Sequence, residues 1–319
     1  MSKKKHTLLK VIGATVVGSA DTLAIANQII TKKEKNNIYG YGTKIKTPFG
    51  KMNVSICGDG SDTIVLLPGY GTASPILDFE PLAKALSSFA KVVTIEYLGY
   101  GDSDDSERER TLENICEEVH AVLESLNIKK YWMMPHSISG IYCLAYANYY
   151  PEEVEGMLLI DTSVPKQKDK VDPKLETILS KTMYYTGIGR IIMHAKPSMY
   201  VGGEDVYDED SLTQMKLRAL QKTSVAIENE GKLLGENMDK CRDMLWPDKL
   251  PVLLFICKST IDKTKGWWLD IHEEQLDNLE TCALIPLDGT HYLHWSNAER
   301  MAEEVENFIS FNAESIIFE

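Results

Sequence analysis

The chain has 319 residues, a length that suits one large α/β domain with an insertion. Its formal net charge of −13 argues against phosphate recognition, so no nucleic-acid partner is expected, and it disfavours adhesion of the folded body to anionic membranes. The six cysteines form no CxxC pair and no metal-ligand spacing, so they read as buried free thiols, which favours a reducing compartment.

At the N-terminus, Lys3-Lys4-Lys5 precedes a mostly apolar stretch, residues 7–30, and Lys32-Lys33 follows it. The stretch is long enough to span a bilayer. Lys10 and Asp21 interrupt it, and with His6 and Gln28 they fall on one narrow helical stripe. Three readings follow: a signal-anchor with its basic flank inside, an amphipathic helix on a membrane or on the protein's own surface, or a signal peptide cleaved near Gly18-Ser19-Ala20. Membrane association through residues 7–30 is the expectation, with cytoplasmic and secreted locations as the alternatives.

After Lys35 the pattern changes. Thr43 to Thr47 and Met52 to Cys57 read as short strands around a Phe49-Gly50 hairpin signal, and Thr63 to Leu67 as a buried strand ending in Pro68-Gly69. Pro75 to Phe89 has helical spacing, Lys91 to Glu96 is a strand, and Thr111 to Leu126 places seven apolar residues on one helix face. Tyr131 to Met133 predicts a strand, Ile138 to Tyr150 a helix stopped at Pro151, and Gly156 to Asp161 the next strand. The strand rhythm stops between Val164 and Lys249, a charged stretch rich in helix formers. It resumes with a strand over Pro251 to Ile256, a helix over Lys263 to Leu279, a strand over Ala283 to Pro286 and a helix over Ala298 to Phe311. The alternation implies a mostly parallel, eight-stranded sheet covered by helices on both faces. The expected organisation is an N-terminal segment 1–35, a core in two parts, 36–163 and 250–319, and a helical cap, 164–249.

Four segments carry the chemistry. In Met134-Pro135-His136-Ser137-Ile138-Ser139-Gly140, a serine sits on a strand-to-helix turn. Such a turn lifts the hydroxyl out of the sheet and sets it at a helix N-terminus, where backbone N–H groups can hold an oxyanion. By itself this run also fits a plain N-capping serine. Pro68-Gly69-Tyr70-Gly71 follows the strand Thr63 to Leu67. Glu96-Tyr97-Leu98-Gly99-Tyr100-Gly101-Asp102-Ser103-Asp104 follows the strand at Glu96, and Gly289-Thr290-His291-Tyr292-Leu293-His294-Trp295 follows the last strand.

Together, and in this order, these segments resemble the α/β-hydrolase fold superfamily, in the manner of a serine hydrolase or esterase. The turn at Ser137 is similar to the family's nucleophile elbow G-x-S-x-G, with Pro135 and Ser139 at the flanking positions. Pro68 stands where the H-G-x-G oxyanion loop has histidine, and Glu96 where the D-x-x-G-x-G-x-S-D loop has its first aspartate. The resemblance implies Ser137 as nucleophile and His291 as general base, with the backbone N–H groups of Tyr70 and Ile138 as oxyanion donors. It implies an acid after a later strand: Asp262 is favoured on chain order and on its position after the strand Pro251 to Ile256 and ahead of His291, and Asp161, at the end of the previous strand, is the alternative. His136 reads as packing and His294 as a packing or hydrogen-bonding neighbour. His6, His120, His194 and His272 receive no role, and Trp267-Trp268 reads as core packing or as pocket lining.

The activity implied is hydrolysis of a small or medium carboxylic ester through an acyl-enzyme, without metal or cofactor. Proline-iminopeptidase-like or acyltransferase activity and a non-catalytic binding module are the alternatives. A peptidase would need acids near the site, for which Glu204, Asp205 and Asp208 are candidates. A dehalogenase is disfavoured because it would need a carboxylate where Ser137 stands.

Overall fold

Three strands follow one another, helices alternate with the other five, and the strands buried on both faces are mostly apolar. A computed structural model describes residues 22–167, 173–197, 201–203 and 205–317. The elements are α1 (residues 22–35), β1 (Thr43–Thr47), β2 (Gly50–Cys57), β3 (Thr63–Leu67), α2 (Pro75–Asp78), α3 (Glu80–Leu86), β4 (Lys91–Ile95), α4 (Leu112–Ser125), β5 (Tyr131–Pro135), α5 (Ser139–Tyr149) and β6 (Val154–Ile160). Four helices follow: α6 (Pro173–Thr186), α7 (Ile188–Ala195), α8 (Glu209–Ala219) and α9 (Val225–Lys240). Then come β7 (Val252–Cys257), α10 (Lys258–Lys263), α11 (Trp267–Leu276), β8 (Cys282–Leu287), a 3₁₀ turn (Leu293–Trp295) and α12 (Ala298–Ile317).

The strands form one sheet in the order β1-β2-β4-β3-β5-β6-β7-β8. β1 and β2 are antiparallel, β2 is antiparallel to β4, and all other pairs are parallel. Alternation with period two splits the core into two layers. Val65, Leu67, Met133, Met157, Leu159, Leu254 and Ile256 point to the layer under α4 and α5. Ile64, Leu66, Trp132, Met134, Leu158, Ile160, Leu253 and Phe255 point to the layer that holds α3 and α12. β5 lies between β3 and β6, so the loops after all three strands meet at one sheet edge. Ligand sites of open parallel sheets form at that carboxyl edge.

The helix expected over Pro75 to Phe89 is broken into α2 and α3 at Phe79. Pro81 lacks the N–H that would reach back one turn, and in an unbroken helix its ring would crowd the Leu77 carbonyl. The helix expected over Lys263 to Leu279 starts instead as α10 and restarts as α11, because Lys265 and Gly266 adopt φ of 55° and 88°.

The expected membrane association, and the location inferred from it, are overturned. Among the described residues no helix is long and apolar enough to cross a membrane. Residues 7–21 of the stretch lie outside the described residues. Its remainder is in α1, which turns polar groups toward the protein. Arg190 donates to Asn27 Oδ1 (3.2 Å), Thr31 Oγ1 (3.1 Å) and Glu34 Oε1 (2.5 Å), and Asn27 Nδ2 donates to the Tyr184 carbonyl (2.7 Å). A spanning segment would leave these polar side chains without partners in hydrocarbon.

Candidate active site

β5 ends at Pro135, and the chain turns sharply through His136 and Ser137 into α5. Ser137 sits in the left-handed region at φ 55°. That conformation costs a non-glycine residue about 1–2 kcal/mol, so the surroundings must hold it. Ser137 N–H donates to the Ile160 carbonyl (3.2 Å), and its own carbonyl accepts from Gly140 N–H (3.0 Å) and Ser163 N–H (2.8 Å). Gly140 allows the close approach: a Cβ there would lie 2.4 Å from Thr162 Cβ.

Ser137 Oγ lies 2.8 Å from His291 Nε2, and His291 Nδ1 donates to Asp161 Oδ2 at 2.6 Å. The carboxylate bonded to His291 is therefore that of Asp161, the alternative, and not that of Asp262, the one favoured. β7 runs directly into α10, which carries Asp262 to an exposed position in its last turn. Asp161 follows β6, the strand next to β5, and its φ of 40° turns the carboxylate toward the elbow.

Asp161 is fully buried, and three donors hold it. Besides His291, Cys257 N–H (3.0 Å) and Trp268 Nε1–H (2.9 Å) both donate to Oδ1. Burial pushes its pKa up, but the His291 hydrogen bond and charge and the other two donors outweigh it and hold the carboxyl below its ordinary range. Trp268 thus has a polar task that the sequence does not reveal, since the partner lies 107 residues away. His272 is a second missed residue: its ring nitrogens lie 2.6 Å from the Trp268 carbonyl and 2.9 Å from the Thr162 carbonyl, both next to the Asp161 cluster.

His136 points away from the Ser137 hydroxyl. Its Nε2–H donates to the His291 carbonyl (3.0 Å), so it braces the loop that carries His291. Burial, then the nearby His291 and His294, push its pKa well below the ordinary value, so it stays neutral. His294 is buried and donates from Nε2 to Asp78 Oδ2 (2.9 Å), while Trp295 Nε1–H donates to Asp78 Oδ1 (2.8 Å). These bonds tie the His291 loop to α2.

The loop after β3 lies against the elbow. A Cβ on Gly69 would be 3.1 Å from Ser137 Cβ and 2.8 Å from His136 Nδ1, so glycine is required there. Ser139, at the elbow position where a small residue is wanted, donates its hydroxyl to the Pro68 carbonyl and so must accept from Tyr97 O–H (2.7 Å). Gly71 N–H donates to Tyr100 Oη (3.2 Å), which donates to Glu230 Oε2 (2.8 Å) on α9. Tyr70 O–H donates to the Ile227 carbonyl of the same helix (3.3 Å). Ile138 N–H heads α5 beside Ser137 and has no hydrogen-bond partner among the described residues.

A cavity of about 1010 Å³ opens beside this loop. Tyr70 and Gly71 of this loop line it, as does Tyr292, the residue after His291. Of the acids considered for a peptidase, Asp208 caps α8 through Ser211 N–H (2.7 Å), Asp205 is exposed, and Glu204 lies outside the described residues. Among the described residues no group of three or more His, Cys, Asp or Glu side chains could hold a metal ion.

Comparison with known proteins agrees with this architecture. A family model described as the α/β-hydrolase fold matches residues 62–196. An uncharacterised protein of Bacillus subtilis, YbdG, is 32% identical over 49% of this chain, which spans 48% of that relative's length. A serine hydrolase-like protein of Danio rerio is 22% identical, over 83% of this chain and 87% of its own. Among solved structures, a thermophilic esterase from Thermogutta terrifontis superposes with a TM-score of 0.66 at 14% identity, covering 85% of this chain and 98% of its own. A haloalkane dehalogenase loop variant from Bradyrhizobium elkanii superposes with a TM-score of 0.63 at 15% identity, covering 87% and 99%. With its strand order, its elbow after the fifth strand and these matches, the chain is an α/β-hydrolase-fold protein.

Proposed function

We propose that the protein is a serine hydrolase that cleaves carboxylic esters through an acyl-enzyme. The observation that carries this reading is the unbroken run of hydrogen bonds from Ser137 through His291 to Asp161. Ser137 Oγ attacks the ester carbonyl while His291 Nε2 takes its proton, and the carbonyl oxygen becomes an oxyanion. The Ile138 and Tyr70 N–H groups are the donors proposed for it. Collapse expels the alcohol, which receives the proton from His291. Water then attacks the acyl-enzyme with His291 again as base, releasing the acid and restoring Ser137. Asp161 fixes the imidazole with Nδ1 protonated and Nε2 free to accept. Residues 164–249 act as the cap, whose helix α9 already grips the loop after β3 through Ile227 and Glu230.

The neighbours on this fold include a dehalogenase as well as an esterase, so the reading rests on the site and not on the fold. Serine at position 137 favours acyl transfer over chemistry that starts from a carboxylate nucleophile. A fluorophosphonate probe tests the reading. Labelling of Ser137, abolished in His291→Ala, is the expected result. A folded protein that takes no label, and hydrolyses no short 4-nitrophenyl ester, overturns it in favour of a binding module.

A further inference from the structure

The cavity beside the loop after β3 is lined by charged residues of both signs, and the acids are already engaged. Asp102 pairs with Arg218 (2.6 Å), and Glu228 pairs with Lys181 (2.9 Å). Asp105 accepts from Val225 N–H and Ala226 N–H at the start of α9, both at 3.0 Å. Asp78 is held by His294 and Trp295. The lining lysines Lys32, Lys35 and Lys222 have no such partner: they are exposed, and no carboxylate among the described residues pairs with them. Lys32 and Lys35 stand one turn apart on α1, and Lys222 lies just before α9. A chain of net charge −13 thus keeps three cations without a paired carboxylate, among the described residues, around one cavity.

Charges in a cleft focus the local field and concentrate ligands of opposite sign. We propose that the cavity is a subsite for an anionic group, and that the substrate is an ester carrying a carboxylate or similar anion remote from the scissile carbonyl. The substrate class rests on the serine-hydrolase reading above. The cavity's place fits it: the lining residues Tyr70 and Gly71 directly follow Gly69, where a Cβ would lie 3.1 Å from Ser137 Cβ, and the lining residue Tyr292 directly follows His291, so a substrate whose carbonyl sits at Ser137 extends past Tyr70 toward the lysines.

Two matched pairs of esters test this and show which half of the substrate bears the anion. For the acyl half, 4-nitrophenyl hydrogen adipate is compared with its methyl ester. For the alcohol half, 4-carboxyphenyl butyrate is compared with the methyl ester of that carboxyl. Exposed cations act weakly through water, so a kcat/KM ratio of only about tenfold in favour of the anion is expected in one pair at low salt. The ratio should shrink as salt screens the charges. It should fall to near one in Lys32→Gln/Lys35→Gln/Lys222→Gln and invert in the corresponding Glu variant. A ratio near one in both pairs for the unaltered protein, while it turns over the neutral esters, overturns the subsite and leaves the hydrolase reading standing. Binding of 4-nitrophenyl hydrogen adipate to Ser137→Ala, measured by calorimetry, tests the subsite without turnover. Affinity that the triple Gln variant loses supports it even if the hydrolase reading fails. Affinity that does not depend on the three lysines overturns it.

Discussion

Replacing Asp161 with asparagine should stop catalysis while leaving the fold nearly intact, and the hydrogen bonds say why. Oδ1 accepts from two N–H donors, Cys257 and Trp268 Nε1, so the asparagine must put its carbonyl oxygen there. Its NH₂ then faces His291 Nδ1, which now has to accept. The imidazole proton moves to Nε2, the nitrogen 2.8 Å from Ser137 Oγ, and His291 can no longer take the serine proton. A wrong tautomer of this kind lowers kcat by about 10⁴-fold, or ~5 kcal/mol of transition-state stabilisation. Asp161 sits below its ordinary carboxylate range, so its charge stabilises the fold above the unfolded pKa and that support is lost as pH falls through the folded value. The neutral amide forgoes it, at a cost of about 1–2 kcal/mol near neutrality. Asp262→Asn is the paired control: its side chain is exposed on α10, and the change should stay within about 0.5 kcal/mol in stability and leave kcat unaltered. Steady-state hydrolysis of 4-nitrophenyl butyrate and urea unfolding of both variants give the answer. Asp161→Asn within tenfold of the unaltered enzyme, or a hundredfold loss in Asp262→Asn, would refute the reasoning.

Trp268→Phe removes the indole donor from Asp161 but keeps most of the packing. It should destabilise by about 1.5–3 kcal/mol, the range for a hydrogen bond to a charged group, and lower kcat more than it raises KM; an unchanged urea midpoint would count against the bond. Ser139→Ala leaves the Pro68 carbonyl and the Tyr97 hydroxyl buried without their partner. A loss of about 1–3 kcal/mol is expected, and a double-mutant cycle with Tyr97→Phe should show coupling; strict additivity would contradict the relay. Glu96 is buried, and burial lifts its pKa from 4.5 to about 7 in spite of hydrogen bonds from Asn53, Asp102, Tyr41 and Ile76. The folded state holds this proton more tightly than the unfolded one, so its contribution is full below pH 4.5 and is lost as pH rises through about 7. The total is about 3 kcal/mol. Urea midpoints should therefore fall between pH 5 and 7 and stay flatter in Glu96→Gln; a midpoint that rises across that window in both proteins would argue against it.

Much of the fold is written locally in the chain. Short continuous apolar runs such as Ile64 to Leu67 and Leu253 to Ile256 fit strands with both faces covered, and the Pro-Gly and Gly-rich punctuation after several of them marks where the loops gather. The turn at Ser137 and the loop at His291 were legible for the same reason, since each short segment has the residue types of a strand end and a turn; the parts given to the two side chains came from the family resemblance. The two helix breaks have local causes as well, Pro81 and the Lys265-Gly266 pair, but the apolar spacing runs through both and hides them. The apolar character of residues 7–30 also misled, because hydropathy along the chain does not register that Asn27, Thr31 and Glu34 find partners on Arg190, more than 150 residues away.

The acid was beyond the sequence. Asp161 and Asp262 each follow a strand and precede His291, so chain order admits both. What separates them is the place of β6 beside β5, the left-handed turn at Asp161, and the donors that Cys257 and Trp268 bring from the next strand and helix. The same holds for the three lysines at the cavity, which come from α1 and from the loop before α9. Backbone conformation follows from neighbours in sequence. A charge's environment depends on neighbours in space, and those exist only once the sheet has ordered its strands.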